Sequence, residues 1–227
     1  MSGLESVGLT FDTDWAPDFV IEHTVRLLEK YEVKSTFFCT NINKVLRDAD
    51  LTEVGIHPGF DNTLSLEDDT QRLRRIFPSA VGVRTHSLIQ SSPLTILFTK
   101  SGLKYDSSLL LWEQWGLKPF RDWNGLVRVP IFWEDDLHLL SERELRLESI
   151  NFRTPGMKVF DFHPIHIFLN TSDLKTYNNY KEDRENIERY ISDGDGIGSM
   201  FINLLEFIKK NDITTFKLAE VTKNGFQ

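Results

Sequence analysis

Residues 7–18 read VGLTFDTDWAPD: an apolar run, two aspartates separated by one threonine, and a turn at Trp15-Ala16-Pro17. The run VGLTF predicts a buried strand. Side chains at i and i+2 of a strand share a face, so Asp12 and Asp14 leave its end pointing the same way. Outward from this strand, apolar runs alternate with amphipathic stretches. Residues 19–31 carry apolar side chains at helical spacing. STFFC (35–39) and EVGIH (53–57) read as strands, 66–77 as a helix and AVGVRTH (80–86) as a strand. A helix over 92–102 stops at glycine, and a short strand follows at LKYDS (103–107). LVRVPIFW (126–133), KVFDFHP (158–164) and TTFKL (214–218) read as strands, with a helix over 199–210 before the last. Such alternation argues for a parallel α/β sheet, and roughly seven parallel strands suit a barrel better than an open sheet. The whole chain, 1–227, reads as one domain. Its polar stretch 170–195 reads as an insertion or active-site loop with one short helix.

A hydrophobic fraction of 40% with 12% aromatics supplies a sizeable core and argues against disorder. The net charge of −8, with no basic patch, argues against nucleic acid as a partner. One cysteine, Cys39, excludes an internal disulfide framework and fits a reducing compartment. The start MSGLESVGLTF has no basic segment and no long apolar run. It predicts neither a signal peptide nor a membrane segment, hence a cytoplasmic protein. Composition leaves the oligomeric state open.

Several of the expected strands end in polar groups. The first ends in Asp12 and Asp14, EVGIH in His57, AVGVRTH in Arg84 and His86, and KVFDFH in His163. Active sites of α/β barrels gather at the carboxyl ends of the strands. Three Asp or His ligands with an open fourth position are what a catalytic zinc ion needs. Asp14 and His57 supply two. The third is His86 or Asp61, with His86 preferred because imidazole is the commoner zinc ligand. Asp12, off the metal, is placed to take a proton from water; Arg84 would keep it ionised, and His163 is the candidate general acid. The bland readings are a solvated Asp-x-Asp turn and core histidines bonded to backbone. His23 and His138 read as structural, and His166 ranks below His163 because it lies beyond Pro164. Trp112, Trp115, Trp123 and Trp133 read mostly as core, and Cys39 as packing.

The ordered series TFDTD, STFF, EVGIHPGFD, VGVRTH, YDSSL and FDFHP resembles the polysaccharide deacetylase family, the NodB-homology carbohydrate esterases, over about the whole chain. The resemblance implies a distorted (β/α) barrel and a divalent metal, most simply Zn2+. It implies Asp12 as base, Asp14 and His57 as ligands, Arg84 holding the base and His163 as acid. The reaction implied is removal of an acetyl group from an N-acetylated carbohydrate or its precursor. Two departures occur together. The family's H-[S/T]-x-x-H has Asp61 in place of its second histidine, and Thr85-His86-Ser87 replaces Pro and an aromatic after the arginine. We read these as one compensating swap. The alternatives are an amidase on a small nitrogen compound and a metal-free glycan-binding relative.

Overall fold

The computed structural model describes residues 4–47 and 49–223, so the outer ends of the 1–227 domain lie outside the described residues. The strands are β1 (Ser6–Asp12), β2 (Ser35–Cys39), β3 (Thr52–Ile56), β4 (Gly82–Val83), β5 (Tyr105–Asp106), β6 (Phe120–Arg121), β7 (Val127–Arg128), β8 (Trp133–Glu134), β9 (Lys158–Phe162) and β10 (Thr214–Thr215). The helices are α1 (Asp18–Tyr31), α2 (Lys44–Arg47), α3 (Leu66–Ile76), α4 (Ser92–Lys100), α5 (Asp135–Leu140), α6 (Pro164–Leu169), α7 (Leu174–Glu182), α8 (Ile197–Lys210) and α9 (Leu218–Lys223). The strands form one sheet in the order β6-β7-β5-β4-β3-β2-β1-β9-β8, with β10 added to β1. Every pairing is parallel except the β6–β7 hairpin.

One stretch of chain brings the two ends of this order together. Residues 127–134 pair with β5 through β7 and with β9 through β8, and Leu110 bridges Ile131 between them. The Ile131 and Phe132 amides donate to the Leu109 and Val159 carbonyls at 2.8 Å each. The sheet thus curls into the expected distorted barrel, its staves being β1 to β5, the 127–134 segment and β9. That segment was expected as one strand. Pro130, which has no N–H to donate, lies in the gap between β7 and β8. Two other expected strands are shorter than read: 80–86 keeps only Gly82–Val83, and 214–218 keeps only Thr214–Thr215 before α9 begins.

Residues alternate between the two sides of each stave. Val7, Leu9 and Phe11 of β1, Phe37 and Cys39 of β2, and Phe160 and Phe162 of β9 join the main core under α1 and α8. Phe11 stacks on Phe37 at 4.6 Å and meets Phe201 of α8 edge-on at 5.7 Å. The opposite parity faces the barrel axis. It includes Thr10 and Asp12, Phe38, Arg84, Ser107, Val159 and Asp161, all of them buried. Strands covered on both sides read as continuous apolar runs, and for that reason β1, β2 and β9 were legible. Gly82 is forced by the packing against the adjacent strand β5, because a Cβ there would lie 2.1 Å from the ring of its pairing partner Tyr105.

Three helices, α3, α4 and α7, begin where a side chain accepts from a free amide. Ser65 caps α3, with Glu67, Asp68 and Asp69 in its first turn and Arg74 and Arg75 in its last. Asp173 caps α7 by accepting from the Thr176 amide at 2.8 Å. The 170–195 stretch holds α7 and a 3₁₀ segment, Arg184–Tyr190, rather than one short helix. Its Tyr177 and Tyr180 are buried against Val20 of α1 and Ile165 and Leu169 of α6.

Candidate active site

The carboxyl ends of the strands open into a cavity of about 220 Å3 lined by Asp12, Asp14, His57, His86, Glu134 and His163 among others. Parity explains the convergence. Asp12 of β1, Asp161 of β9 and Arg84, one residue past β4, lie on the axial face, and Asp14, His163 and His86 follow each of them by two residues. His57 is fixed by its amide, which donates to Cys39 O at 2.9 Å, and the His86 amide donates to Pro58 O at 2.9 Å.

Arg84 is fully buried and forms the floor. Its Nη1 donates to Asp12 Oδ1 at 3.0 Å and also to Asp161 Oδ1. Its Nε and Nη2 donate to the Ser107 carbonyl and hydroxyl at 2.9 and 3.0 Å. The YDSS stretch at 105–108 therefore serves the arginine strand: Ser107 anchors Arg84, and the Ser108 hydroxyl accepts from the Thr85 amide at 3.0 Å. Burial pushes the Asp12 carboxyl up to about 7 against the pull of Arg84 and His163. Burial likewise lifts Asp161 well above the carboxylate range, with Arg84 opposing it.

Above this floor, three candidate ligands meet. His57 Nε2 is 3.7 Å from Asp14 Oδ1, and His86 Nδ1 is 3.6 Å from Asp14 Oδ2. One ligand atom from each of Asp14, His57 and His86 lies within 4.8 Å of the others. Ligands about 2.0–2.2 Å from a tetrahedral metal lie about 3.3–3.6 Å apart, so the spacing suits one ion. Asp14 Oδ1 and both ring nitrogens of His57 are buried and have no hydrogen-bond partner. Buried polar atoms are rarely left so, and the donor set is one that suits zinc. Burial, with the cationic neighbours, holds the His57 pKa well below its ordinary value, which keeps the ring neutral as a ligand must be.

Asp61 is not part of this group. Gly59, at φ +97°, breaks the helical turn that would bring it round, and Asp61 accepts instead from the Thr63 amide at 2.9 Å. His86 sits in the 3₁₀ turn His86–Leu88, its ring edge-on to His57 at 5.6 Å.

His163 Nε2 also lies 3.7 Å from Asp14 Oδ1, the oxygen that His57 approaches. Asp135, the first residue of α5, holds it twice: Oδ2 accepts from the His163 amide and Oδ1 from Nδ1, both at 2.7 Å. Burial lowers the His163 pKa, but Asp135, Asp136 and Asp14 together outweigh it and hold the imidazole well above its ordinary value. Asp136 accepts from His166 Nε2 at 2.8 Å, and Thr171 takes the other nitrogen at 3.0 Å, so His166 is a buried support. His138 is likewise structural, between Trp133 Nε1 and Glu144 O. Burial raises the Cys39 thiol to about 12, in keeping with packing.

Sequence reasoning missed Glu134, Asp135 and Asp136, although WEDD follows a strand end as TFDTD does. It also missed Trp15, Tyr177 and Lys181, which line the cavity from the first turn and from α7. Of the tryptophans read as core, Trp133 is buried, but Trp115 and Trp123 are 75% and 71% exposed.

Residues 9–181 match the family described as WbmS-like polysaccharide deacetylase. Among solved structures, WbmS of Bordetella bronchiseptica, put forward as a polysaccharide deacetylase involved in O-antigen biosynthesis, is 32% identical. The match covers 91% of this chain and 92% of that one, with a TM-score of 0.82. A protein of Mycobacterium smegmatis put forward as a polysaccharide deacetylase is 15% identical over 98% and 90% of the two chains, with a TM-score of 0.59. A carbohydrate esterase family 4 pseudoenzyme from Bacillus anthracis is 16% identical over 98% and 66%, with a TM-score of 0.52. At such identities the last two share the fold alone. No curated protein matches the sequence. The match over residues 9–181 and the 32% identity across nine-tenths of WbmS agree with the barrel and its strand-end site: the chain belongs to the WbmS-like polysaccharide deacetylase family.

Proposed function

We propose that this chain is a metal-dependent hydrolase that removes an N-acetyl group from an amino sugar during assembly of a cell-surface polysaccharide. The observation that carries the proposal is the meeting of Asp14, His57 and His86, with buried ligand atoms left without hydrogen bonds. The O-antigen assignment of the 32%-identical WbmS supports the sugar as substrate and the biosynthetic setting. Held by those three residues, a divalent cation such as Zn2+ would polarise the acetyl carbonyl and acidify a water molecule.

The protein's own groups do the rest. Asp12, poised near neutrality, accepts a proton from water. Arg84 occupies Asp12 Oδ1 and leaves Oδ2 turned toward the cavity, 3.6 Å from His57 Nδ1. His163, kept protonated by its acidic neighbours, gives a proton to the leaving nitrogen. The two proton carriers both border the candidate ligands, Asp12 at His57 and His163 at Asp14. The cavity, about 220 Å3, is smaller than the roughly 300–1,000 Å3 typical of ligand sites, which suits entry of the acetamido end with the remainder outside. No helix among the described residues is long and apolar enough to cross a membrane.

Acetate release from N-acetylated sugars, with and without chelator, tests the proposal alongside elemental analysis of bound metal. Metal near one equivalent and chelator-sensitive acetate release are expected. Release that ignores the chelator would remove the metal from the mechanism. Ammonia release from amides in place of acetate would favour the amidase reading.

A further inference from the structure

Two cations lie over one tryptophan ring at the edge of the cavity. Lys181 Nζ lies 5.1 Å from the Trp15 ring centroid and 4.1 Å from that of Tyr177, and Arg184 Cζ lies 4.3 Å from Trp15. Lys181 lines the cavity together with both rings. Among the described residues neither cation has a carboxylate within 4.0 Å, although the chain carries 34 acidic residues against 26 basic ones. Against its burial, His163, His166 and Lys181 together hold Asp136 below the usual carboxylate range, yet Lys181 closes no ion pair with it across the cavity both line. Instead the ammonium rests on π faces, which hold a cation without cancelling its charge.

The platform is built rather than incidental. Trp15 follows directly on Asp14 and is held at φ +60°, a left-handed conformation costly for a bulky residue. Its carbonyl accepts from the Tyr180 hydroxyl at 3.1 Å, and its ring meets Phe60 edge-on at 5.2 Å. The Arg184 Nε donates to the Lys181 carbonyl at 3.3 Å, which ties the two cationic residues together.

We infer that Lys181 and Arg184 form a subsite for an anionic oxygen group, carboxylate or phosphate, on the part of the substrate that stays outside the cavity. The inference rests on the deacetylase reading and specifies its substrate. The charge has two sources in sugar chemistry: the carboxylate of an N-acetylated uronic acid, or the diphosphate of a nucleotide-linked precursor.

The experiment measures binding to the full chain by calorimetry, at low and high salt, with three probes: N-acetylglucosamine, N-acetylglucosaminuronate and UDP-N-acetylglucosamine. At least one anionic probe should bind about tenfold or more tighter than the neutral sugar, a gap that narrows in salt. Lys181→Met and Arg184→Met should each shrink that ratio, and the double variant should bring it close to one. Preference for the uronate names the carboxylate as source, and preference for the nucleotide sugar names the diphosphate. Equal binding of all three probes, no binding at millimolar concentration, or a preference that survives in the double variant overturns the inference. Acetate release measured on the same probes separates the two readings. Release without charge preference leaves the deacetylase and removes the subsite. Charge-dependent binding without release by metal-loaded protein leaves the subsite and removes the deacetylase.

Discussion

Replacing Arg84 with glutamine tests whether the floor of the site is held by one buried cation between two carboxylates. Arg84, Asp12 and Asp161 are all buried, and Arg84 Nη1 serves both acids. Removing one member of a buried pair typically costs about 3–5 kcal/mol, because the other charge is left uncompensated. Here two carboxylates are left, and the Ser107 carbonyl and hydroxyl lose their donors as well. Unfolding entropy of about 2.1 cal/mol/K per residue gives about 0.5 kcal/mol/K for this chain of 227 residues. The melting midpoint of the metal-free variant should therefore fall by about 6–10 °C. Adding Asp161→Asn removes one of the stranded acids. The double variant should regain about 0.5–3 kcal/mol as a coupling term. Thermal unfolding followed by circular dichroism on the wild type, both single variants and the double closes the cycle. A glutamine variant melting within about 2 °C of the wild type would refute the reasoning, as would additive effects in the double.

Further outcomes follow from the same geometry. His86→Ala should lower zinc affinity by at least about 100-fold, since even outer partners of ligands cost about 10–100-fold, whereas Asp61→Ala should leave the metal count by elemental analysis unchanged. Asp12 must be ionised to act and burial raises its pKa to about 7, so kcat/KM for acetate release should fall with decreasing pH. A bound cation favours the ionised form, so the acid limb should lie at or below about 7. A profile flat from pH 5 to 8, or a limb above about 8, would count against Asp12 as base. Asp135→Asn should bring the alkaline limb to lower pH, because His163 loses the strongest of the carboxylates that hold it protonated. Phe11→Ala should cost about 3–5 kcal/mol in urea titrations, as it removes a ring packed on Phe37 and Phe201, while Trp115→Ala, 75% exposed, should stay within about 0.5 kcal/mol.

How far the sequence led depended on whether a side chain's position follows from local periodicity. β1, β2 and β9 are covered on both sides, so their apolar runs marked them, and the i, i+2 rule then carried Asp12 to Asp14 and Asp161 to His163 on the axial face. The same rule placed Arg84 with His86 even though β4 is only two residues long, because the chain stays extended through Thr85 before turning. Asp61 fell away for a local reason also visible in the sequence: Gly59 breaks the turn on which it depended. What periodicity could not convey was pairing decided by distant chain. Residues 127–134 look like one strand but divide at Pro130 between two neighbours, β5 and β9. Only that division turns the following Asp135 onto His163 rather than to solvent. The polar stretch 170–195 was harder still. Its helix α7 has few apolar residues to advertise a buried face, yet Tyr177 and Tyr180 dock it against α1 and α6, and that docking carries Lys181 to the cavity. The catalytic candidates sit where strand geometry alone puts them. The cations at the cavity edge, Lys181 and Arg184, sit where tertiary packing puts them. The proposed reaction type therefore rests on residues legible in a single sequence, whereas the proposed anion subsite required the fold.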